Sequence, residues 1–459
     1  MNKYDAIIIG FGKGGKTLAG FLGDKGFKVA IIEKSNKMYG GTCINIGCIP
    51  TKSLVHSSKI IKEKSFETFE EMEKAYSDAV NKKRELVSLL RNKNFAMLDN
   101  KDTVDVYTGT ASFVSNNEVK VDTKDEEITL FGEKIFINTG AETVIPNIDG
   151  INETKNIYTS TSIMELDKLP KELVIVGGGY IGLEFASTYS AFGSKVTVLE
   201  GYSRLMPRED SDVAEEVKTV LEKKGIEFKL SSKVESFKNN GDKVLISYYD
   251  EENKKSNVIE GDAVLLATGR KPNTEGLNLE VAGVELTERG AVKVNSKLRT
   301  NVENIWAIGD VKGGLQFTYI SLDDFRIIKD DLFGDGKRSL KDRENVPYSV
   351  FIDPVFSRVG LSEEEAIKAG YEIKVAKLQA AGIPRARVID EINGFMKAVV
   401  DAKTNKILGC TLFCAESSEI INIVDMAIKT GQDYTYLRDN IFTHPTMSEA
   451  LNDLFNLIK

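Results

Sequence analysis

The sequence predicts an α/β protein with two βαβ units built round glycine turns and a separate α+β unit towards its C-terminal end. Two observations carry this. The order apolar strand, glycine turn, helix, apolar strand occurs twice, over residues 4–33 and again over 173–200. From about Val346 the pattern turns to alternating strands, at 397–400 and 406–412, with two terminal helices, and Pro347 and Pro354 punctuate its start.

The elements follow in order. The first unit opens with a strand at 4–9, then a helix over 16–25 and a second strand at 29–33. Residues 57–98 read as long, charged helices with apolar repeats at Phe66, Phe69, Met72, Tyr76 and Val80. Residues 104–138 read as short strands joined by turns. The second unit places a strand at 173–176, a helix ending at Phe192 and a strand at 195–200. Further buried strands are expected at 262–268 and 305–308.

Bulk properties exclude several classes. The 459 residues are enough for about three domain-sized units. Hydrophobic residues at 41% and charged residues at 28% are the balance of an ordinary globular protein. No apolar run approaches the roughly 20 residues that span a bilayer. The opening MNKYDAIIIG lacks the layout of a signal peptide, so a cytoplasmic protein free of membrane is expected. Sixty-one basic against 69 acidic residues give −8 with no segregated basic patch, which argues against nucleic acid. Four cysteines are too few for a disulfide scaffold, so a close pair points to chemistry.

Gly10-Phe11-Gly12-Lys13-Gly14-Gly15 stands between strand and helix. Gly10 makes the tight turn, Gly12 lets backbone N–H groups approach a pyrophosphate, and Gly15 allows close helix–strand packing. Glu33, ending the next strand, is placed to accept from a ribose hydroxyl. Gly177, Gly179, Gly182 and Glu200 repeat the arrangement. One such turn alone is weak support, whereas two complete copies imply two dinucleotides, one a flavin, in an electron-transfer enzyme. A carboxylate at Glu200 favours NADH by repelling a 2′-phosphate, and Arg204 and Arg208 lie close enough in sequence to soften that preference.

The segment from Gly40 to Lys52, GGTCINIGCIPTK, holds Cys43 and Cys48. In an ideal helix, residues five apart are offset by about 7.5 Å along the axis and face different ways, which strains a bridge. Gly47 permits the irregular turn that brings the sulfurs together, and Pro50 fits the first turn of a following helix. A helix N-terminus and the charge of Lys52 both favour thiolate. Two inert core cysteines are the bland alternative, which leaves the glycines and the proline without a reason.

This segment resembles that of the pyridine nucleotide–disulfide oxidoreductases, a family that includes glutathione reductase, dihydrolipoamide dehydrogenase and mercuric reductase. The resemblance runs along the whole chain, through Ile137-Asn138-Thr139-Gly140, GGGYIGLE at 177–184, Ala267-Thr268-Gly269-Arg270, Ala307-Ile308-Gly309-Asp310 and His444-Pro445 with Glu449. It implies a glutathione-reductase-like fold: a Rossmann-like FAD-binding domain over 1–145, resumed over 271–340, a Rossmann-like NAD(P)-binding domain over 146–270 and a dimerisation domain over 341–459. It implies FAD and NADH or NADPH as cofactors. Cys43 would then be the interchange thiol that meets substrate, and Cys48 the charge-transfer thiol against the flavin. Lys52 and Glu184 would pair beside the flavin, Tyr180 would gate the nicotinamide pocket, Glu33 would hold the FAD ribose and Asp310 its ribityl chain. Gly41, Thr42, Thr139, Gly140, Gly269 and Arg270 would complete the cofactor contacts.

The chain has two histidines, His56 and His444. A thiol–disulfide cycle needs a base and an acid, and histidine suits both when a carboxylate fixes its tautomer. By the resemblance, His444 and Glu449 reach across a two-fold interface to the partner's cysteines, so the active enzyme is a homodimer. His56 reads as a surface residue. Cys410 and Cys414 share one strand face and read as core residues, with a secondary thiol site as the alternative.

The shared motifs do not name the electron acceptor. A terminal vicinal cysteine pair and an N-terminal metal-binding domain are both missing from the sequence, which speaks against mercuric reductase, and no resident metal is expected. Glutathione reductase would place arginines where Glu200 stands. The segments 38–43, 312–326, 346–351, 383–387 and 447–455 resemble the bacterial reactive-chlorine-resistance flavoproteins, which act as hypothiocyanous acid reductases. That implies a small oxidant, hypothiocyanous acid, reduced to thiocyanate and water. Dihydrolipoamide dehydrogenase and a copper(II) or mercury(II) reductase stay open as alternatives, with a non-catalytic flavoprotein sensor behind them. Arg385 and Arg387 are expected to steer an anionic oxidant.

Overall fold

The first apolar run becomes the middle of a sheet. In the computed structural model, which describes residues 2–64 and 66–459, strand Asn2–Ile9 pairs in parallel with Val29–Glu33 on one side and Glu127–Ile137 on the other. Ala6 to Ile9 are buried on both faces, which is why the segment reads as a continuous apolar run. Val104–Phe113 adds in parallel outside Val29–Glu33, and Ile305–Ala307 adds in parallel outside Glu127–Ile137. The strands within 104–138 are longer than expected. The second half of Val104–Phe113 turns antiparallel to Glu118–Thr123, which pairs in turn with Glu127–Ile137. The first helix, Lys13–Asp24, starts three residues earlier than expected because Gly12 is its N-cap and the glycine turn runs straight into it.

Two helices join this unit to the next, with Leu54, Ile61, Tyr76, Ala79 and Val80 in the core of the second unit. Cys48–Lys62 is followed by Phe69–Asp99, which opens with a capping box between Thr68 and Glu71. The chain then crosses to a second sheet through Ala141–Thr143 and returns through Arg270–Pro272, the two passages pairing antiparallel.

The second sheet is wholly parallel, in the order Glu227–Lys229, Lys195–Leu199, Glu172–Val176, Ala263–Leu266, Ile157–Thr159. Helix Tyr180–Phe192 packs on it through Leu183, Phe185, Ala186 and Tyr189. A three-stranded antiparallel sheet, Ser232–Asn240, Lys243–Asp250 and Lys255–Gly261, was not foreseen in the sequence. It covers the other face by turning Val244, Ile246 and Tyr248 inward, every second residue of a charged segment.

The C-terminal unit is a five-stranded antiparallel sheet in the order Tyr348–Val350, Phe356–Gly360, Ile407–Phe413, Phe395–Asp401, Ile373–Gln379. Three helices follow it, Ser417–Lys429, Tyr434–Arg438 and Ala450–Asn456, where two were expected. The extra one is short, because the segment carrying His444 and Pro445 leaves the helical path before Ala450–Asn456 begins. Among the described residues, no helix is long and apolar enough to cross a membrane.

Candidate active site

Both glycine turns open at the carboxyl ends of central strands. Gly10 has φ +104° and Gly177 has φ +110°, the left-handed region that favours glycine. A Cβ at Gly15 would sit 2.9 Å from the Gly10 carbonyl oxygen, and one at Gly182 only 1.9 Å from that of Gly177. The third glycine of each fingerprint is therefore required by helix–strand contact. Asn138 locks the first turn, its Oδ1 accepting from Gly15 N–H at 2.9 Å and its Nδ2 donating to Ile308 O at 2.9 Å.

One cavity of about 2200 Å³ runs between the units. Gly10, Gly12 and Glu33 line it at one end, with Gly41 and Thr42 closing over them. A Cβ on Gly41 would stand 2.6 Å from Gly12 Cα, so only bare backbone lets these two segments meet. Glu33 accepts from Phe11 N–H at 3.0 Å and from Ser35 N–H at 3.2 Å, and burial pushes its carboxyl up. Thr139, Gly140, Gly269, Arg270 and Asp310 line the cavity further along. Burial also raises the Asp310 carboxyl, against the pull of Arg270 and Lys312. Buried Asp324 supports that turn by accepting from Gly309 N–H at 2.6 Å. A glycine cradle, a buried carboxylate at its rim and a second one further along fit FAD.

The cysteines sit on the same wall. Cys43 rides on a short helix, Gly41–Asn45, that Gly40 can start because its φ is +97°. Asn45 holds that helix, donating to Tyr39 O and Gly41 O at 2.9 Å each and accepting from Arg91 Nε at 2.8 Å. Cys48 begins the next helix behind Gly47. Both are free thiols, and the pair is unequal. The hydrogen bond from Cys43 pulls the Cys48 thiol down to about 6, aided by the Thr318 hydroxyl at 3.5 Å and the charge of Lys52, against the opposing effect of burial. The same bond, with burial, pushes Cys43 well above the usual thiol range.

The helix terminus and Lys52 act on Cys48, while the hydrogen bond to Cys48 and burial hold the Cys43 thiol up. Thr318 was missed by sequence reasoning, and its only signal was the unusual segment 312–326. Iodoacetamide labelling of reduced protein should accordingly slow as pH falls through about 6, and Thr318→Val should move that midpoint upward. A midpoint near that of an ordinary free thiol would refute the assignment.

Lys52 Nζ lies 2.6 Å from Glu184 Oε2, joining the cysteine helix to the helix after the second glycine turn. The other Glu184 oxygen accepts from Phe351 N–H at 2.8 Å, and Lys52 sits 4.7 Å from the centroid of the Phe351 ring. Tyr180 lines the cavity beside them. Gly177, Gly179, Gly182 and Glu200 stand off the wall that carries the cysteines, round the second turn. Glu200 accepts from Gly178 N–H and, at 2.9 Å, from Tyr202 N–H.

The remaining predicted residues lie elsewhere. His444 Nδ1 is 2.8 Å from Glu449 Oε2, and the imidazole is exposed, off the cavity wall of its own chain. Arg385 and Arg387, on the short helix Pro384–Val388, are also off that wall. His56 is exposed. Cys410 and Cys414 are buried in the C-terminal core, where burial pushes the Cys414 thiol up to about 12. Among the described residues, no group of three or more His, Cys, Asp or Glu could hold a metal ion.

A cofactor cradle and a dithiol on one cavity, with a second glycine turn outside that wall, are the parts of a flavin-dependent disulfide oxidoreductase. Residues 4–324 match the family model described as pyridine nucleotide-disulphide oxidoreductase, and 346–455 match that family's dimerisation domain. The chain belongs to this family, has its glutathione-reductase-like fold, and uses FAD and NAD(P)H.

Particular relatives narrow the likeness. The chain is 50% identical, over 100% of both chains, to the "Probable pyridine nucleotide-disulfide oxidoreductase RclA" of Escherichia coli (strain K12). It is 35% identical to the mitochondrial dihydrolipoyl dehydrogenase of Pisum sativum, covering 98% of this chain and 90% of that one. The solved "Cu(II) complex of HOCl-induced flavoprotein disulfide reductase RclA" from Escherichia coli superposes with a TM-score of 0.94 at 50% identity, covering 100% of both chains.

Proposed function

We propose that this chain is an NAD(P)H-dependent hypothiocyanous acid reductase that works as a homodimer in defence against oxidants. The observation that carries this reading is the placement of Cys43 and Cys48 on one cavity wall, with the Thr318 hydroxyl and Lys52 beside Cys48 drawing its thiol towards thiolate. The description of the Escherichia coli relative as HOCl-induced supports an electrophilic oxidant as acceptor.

The chemistry balances on these residues. Cys43 gives up its proton and attacks the sulfur of hypothiocyanous acid; the S–O bond breaks and the oxygen leaves as water, taking that proton. Cys43 now carries a thiocyanate sulfur. The Cys48 thiolate attacks Cys43 Sγ and expels thiocyanate, closing the Cys43–Cys48 disulfide. The disulfide then takes up two electrons and one proton, which restores the Cys43 thiol and the Cys48 thiolate. FAD, when bound, supplies two-electron transfer between the nicotinamide and the disulfide.

Lys52, held by Glu184, places a positive charge beside the Cys48 thiolate. His444 moves the Cys43 proton. Its Nδ1–H donates to Glu449, which leaves Nε2 free to accept. Because the ring is remote from its own cavity, it serves the cysteines of the partner subunit. Glu33 and Asp310 bind hydroxyls of FAD, and the glycine turns admit the two pyrophosphates.

The test adds hypothiocyanous acid, lipoamide and oxidised glutathione separately to the anaerobic holoenzyme with NADH or NADPH. Rapid nicotinamide oxidation with hypothiocyanous acid alone is expected. Fast turnover of lipoamide instead would make the chain a dihydrolipoyl dehydrogenase. A copper(II) arm belongs in the same assay, because the solved relative is a Cu(II) complex and thiolates bind soft metals. NADH should be preferred, and Glu200→Ala should lower the ratio of kcat/KM for NADH over NADPH by about tenfold. An unchanged ratio removes Glu200 from nucleotide choice.

A further inference from the structure

Four side chains meet where the second parallel sheet's unit packs on the C-terminal sheet, and only one of them, Tyr180, has a role so far. Tyr180 is the first residue of helix Tyr180–Phe192 and lies on the cavity wall. Its hydroxyl donates to Glu209 Oε1, and the Tyr348 hydroxyl donates to the same oxygen at 2.5 Å. The two rings stack, with centroids 5.7 Å apart and planes 27° apart. Tyr348 in turn lies 6.2 Å from Phe317 at 14°, on the cavity side. Arg358 Nη1 reaches the other Glu209 oxygen at 3.1 Å, and its guanidinium sits 5.7 Å from the Tyr348 ring centroid.

Glu209 is fixed from both sides. Its side chain is 1% exposed and that of Arg358 is 9% exposed, and the Arg358 Nη2 is held by Glu365 at 2.8 Å. The next residue, Asp210, accepts from Glu363 and Glu364 N–H at 3.0 and 2.9 Å and pairs with buried Lys397 at 3.1 Å. Tyr180 has the freer surroundings: it follows Gly179, around whose Cβ position nothing stands within 4 Å. Burial and Glu209 raise both phenols, so each keeps its proton as a donor.

We propose that Glu209, anchored by Arg358, is a latch that holds the Tyr180 ring closed on Tyr348, so that a nicotinamide nucleotide enters only after the Tyr180–Glu209 hydrogen bond breaks. This rests on the reading above that Tyr180 borders the nicotinamide site. A flat aromatic ring bound for the Lys52–Glu184 pair passes along the Tyr180–Tyr348–Phe317 stack. While the latch is closed, the binding-competent fraction is small and the apparent affinity falls by that fraction. Glu209, Tyr348 and Arg358 are therefore positioning residues that set nucleotide affinity without touching the reacting atoms.

Isothermal titration of the holoenzyme with NAD+, and in parallel with NADP+, tests this without turnover. Tyr180→Phe keeps the ring and deletes the phenol, and the Kd for NAD+ should fall about fivefold. Glu209→Gln should act in the same direction and add nothing in the Tyr180→Phe background. If Glu209→Gln fails to fold because Arg358 is left unpaired, Tyr180→Phe alone decides. An unchanged or weaker Kd in Tyr180→Phe overturns the latch. Failure of both nucleotides to bind the unsubstituted holoenzyme overturns the reading beneath it.

Discussion

Replacing Cys43 by serine should abolish hypothiocyanous acid turnover, a loss of at least about a thousandfold, while the flavin stays bound. A serine hydroxyl does not ionise near neutral pH and cannot form the bridge that Cys48 closes. The rest of the site should survive. The Gly41–Asn45 helix is held by Asn45 and Arg91 rather than by the thiol, and the Glu33 and Asp310 ends of the cavity do not depend on it. The complementary Cys48→Ser variant should react once and stop, leaving one thiocyanate adduct per subunit on Cys43, detectable by mass spectrometry. Full turnover in Cys43→Ser would refute the mechanism.

The second large effect concerns His444. His444→Ala should slow the cycle by about 10²–10⁴-fold, the usual contribution of a general acid–base. Its position makes a sharper test available. The imidazole is 67% exposed and off the wall of its own cavity, so on the proposed mechanism its work is done across an interface. Mixing Cys43→Ser and His444→Ala subunits by co-expression should then restore activity. Half of randomly formed dimers are mixed, each with one intact site, which gives about one quarter of normal activity by the symmetry of a two-fold dimer. Activity no higher than that of the separate variants would show that His444 does not serve a partner's site.

Much of the fold was legible because it follows from local rules. Both glycine turns, the acidic residue ending each second strand and the strands themselves could be read from apolar runs and single glycines. Strand Val29–Glu33 and the end of helix Tyr180–Phe192 fell where the spacing put them. The sheet over 232–261 was not legible, since alternate burial within a highly charged segment looks like a solvated surface until its partner sheet is known. The candidate site shows the same division. Cys43, Cys48 and Lys52 lie within one short segment, and their proximity is local. Thr318, Glu209, Tyr348 and Arg358 come from distant segments, and no spacing connects them.

The sequence by itself determined the class of chemistry. A cysteine pair around a glycine break and two nucleotide fingerprints are patterns of covalent and backbone geometry, which residue order dictates directly, whereas His444 and Glu449 stood out only through the family resemblance. Tertiary structure alone decided which groups surround the cysteine pair and draw the Cys48 thiol down. That depends on the Thr318 hydroxyl and Lys52 lying beside Cys48, and electrostatic effects of this kind act through space over a few ångströms, although Thr318 lies 270 positions further along the chain. Tertiary structure also decided that His444 lies away from its own cysteines, because the packing of the C-terminal sheet and its helices, and not the order of residues, sets that separation.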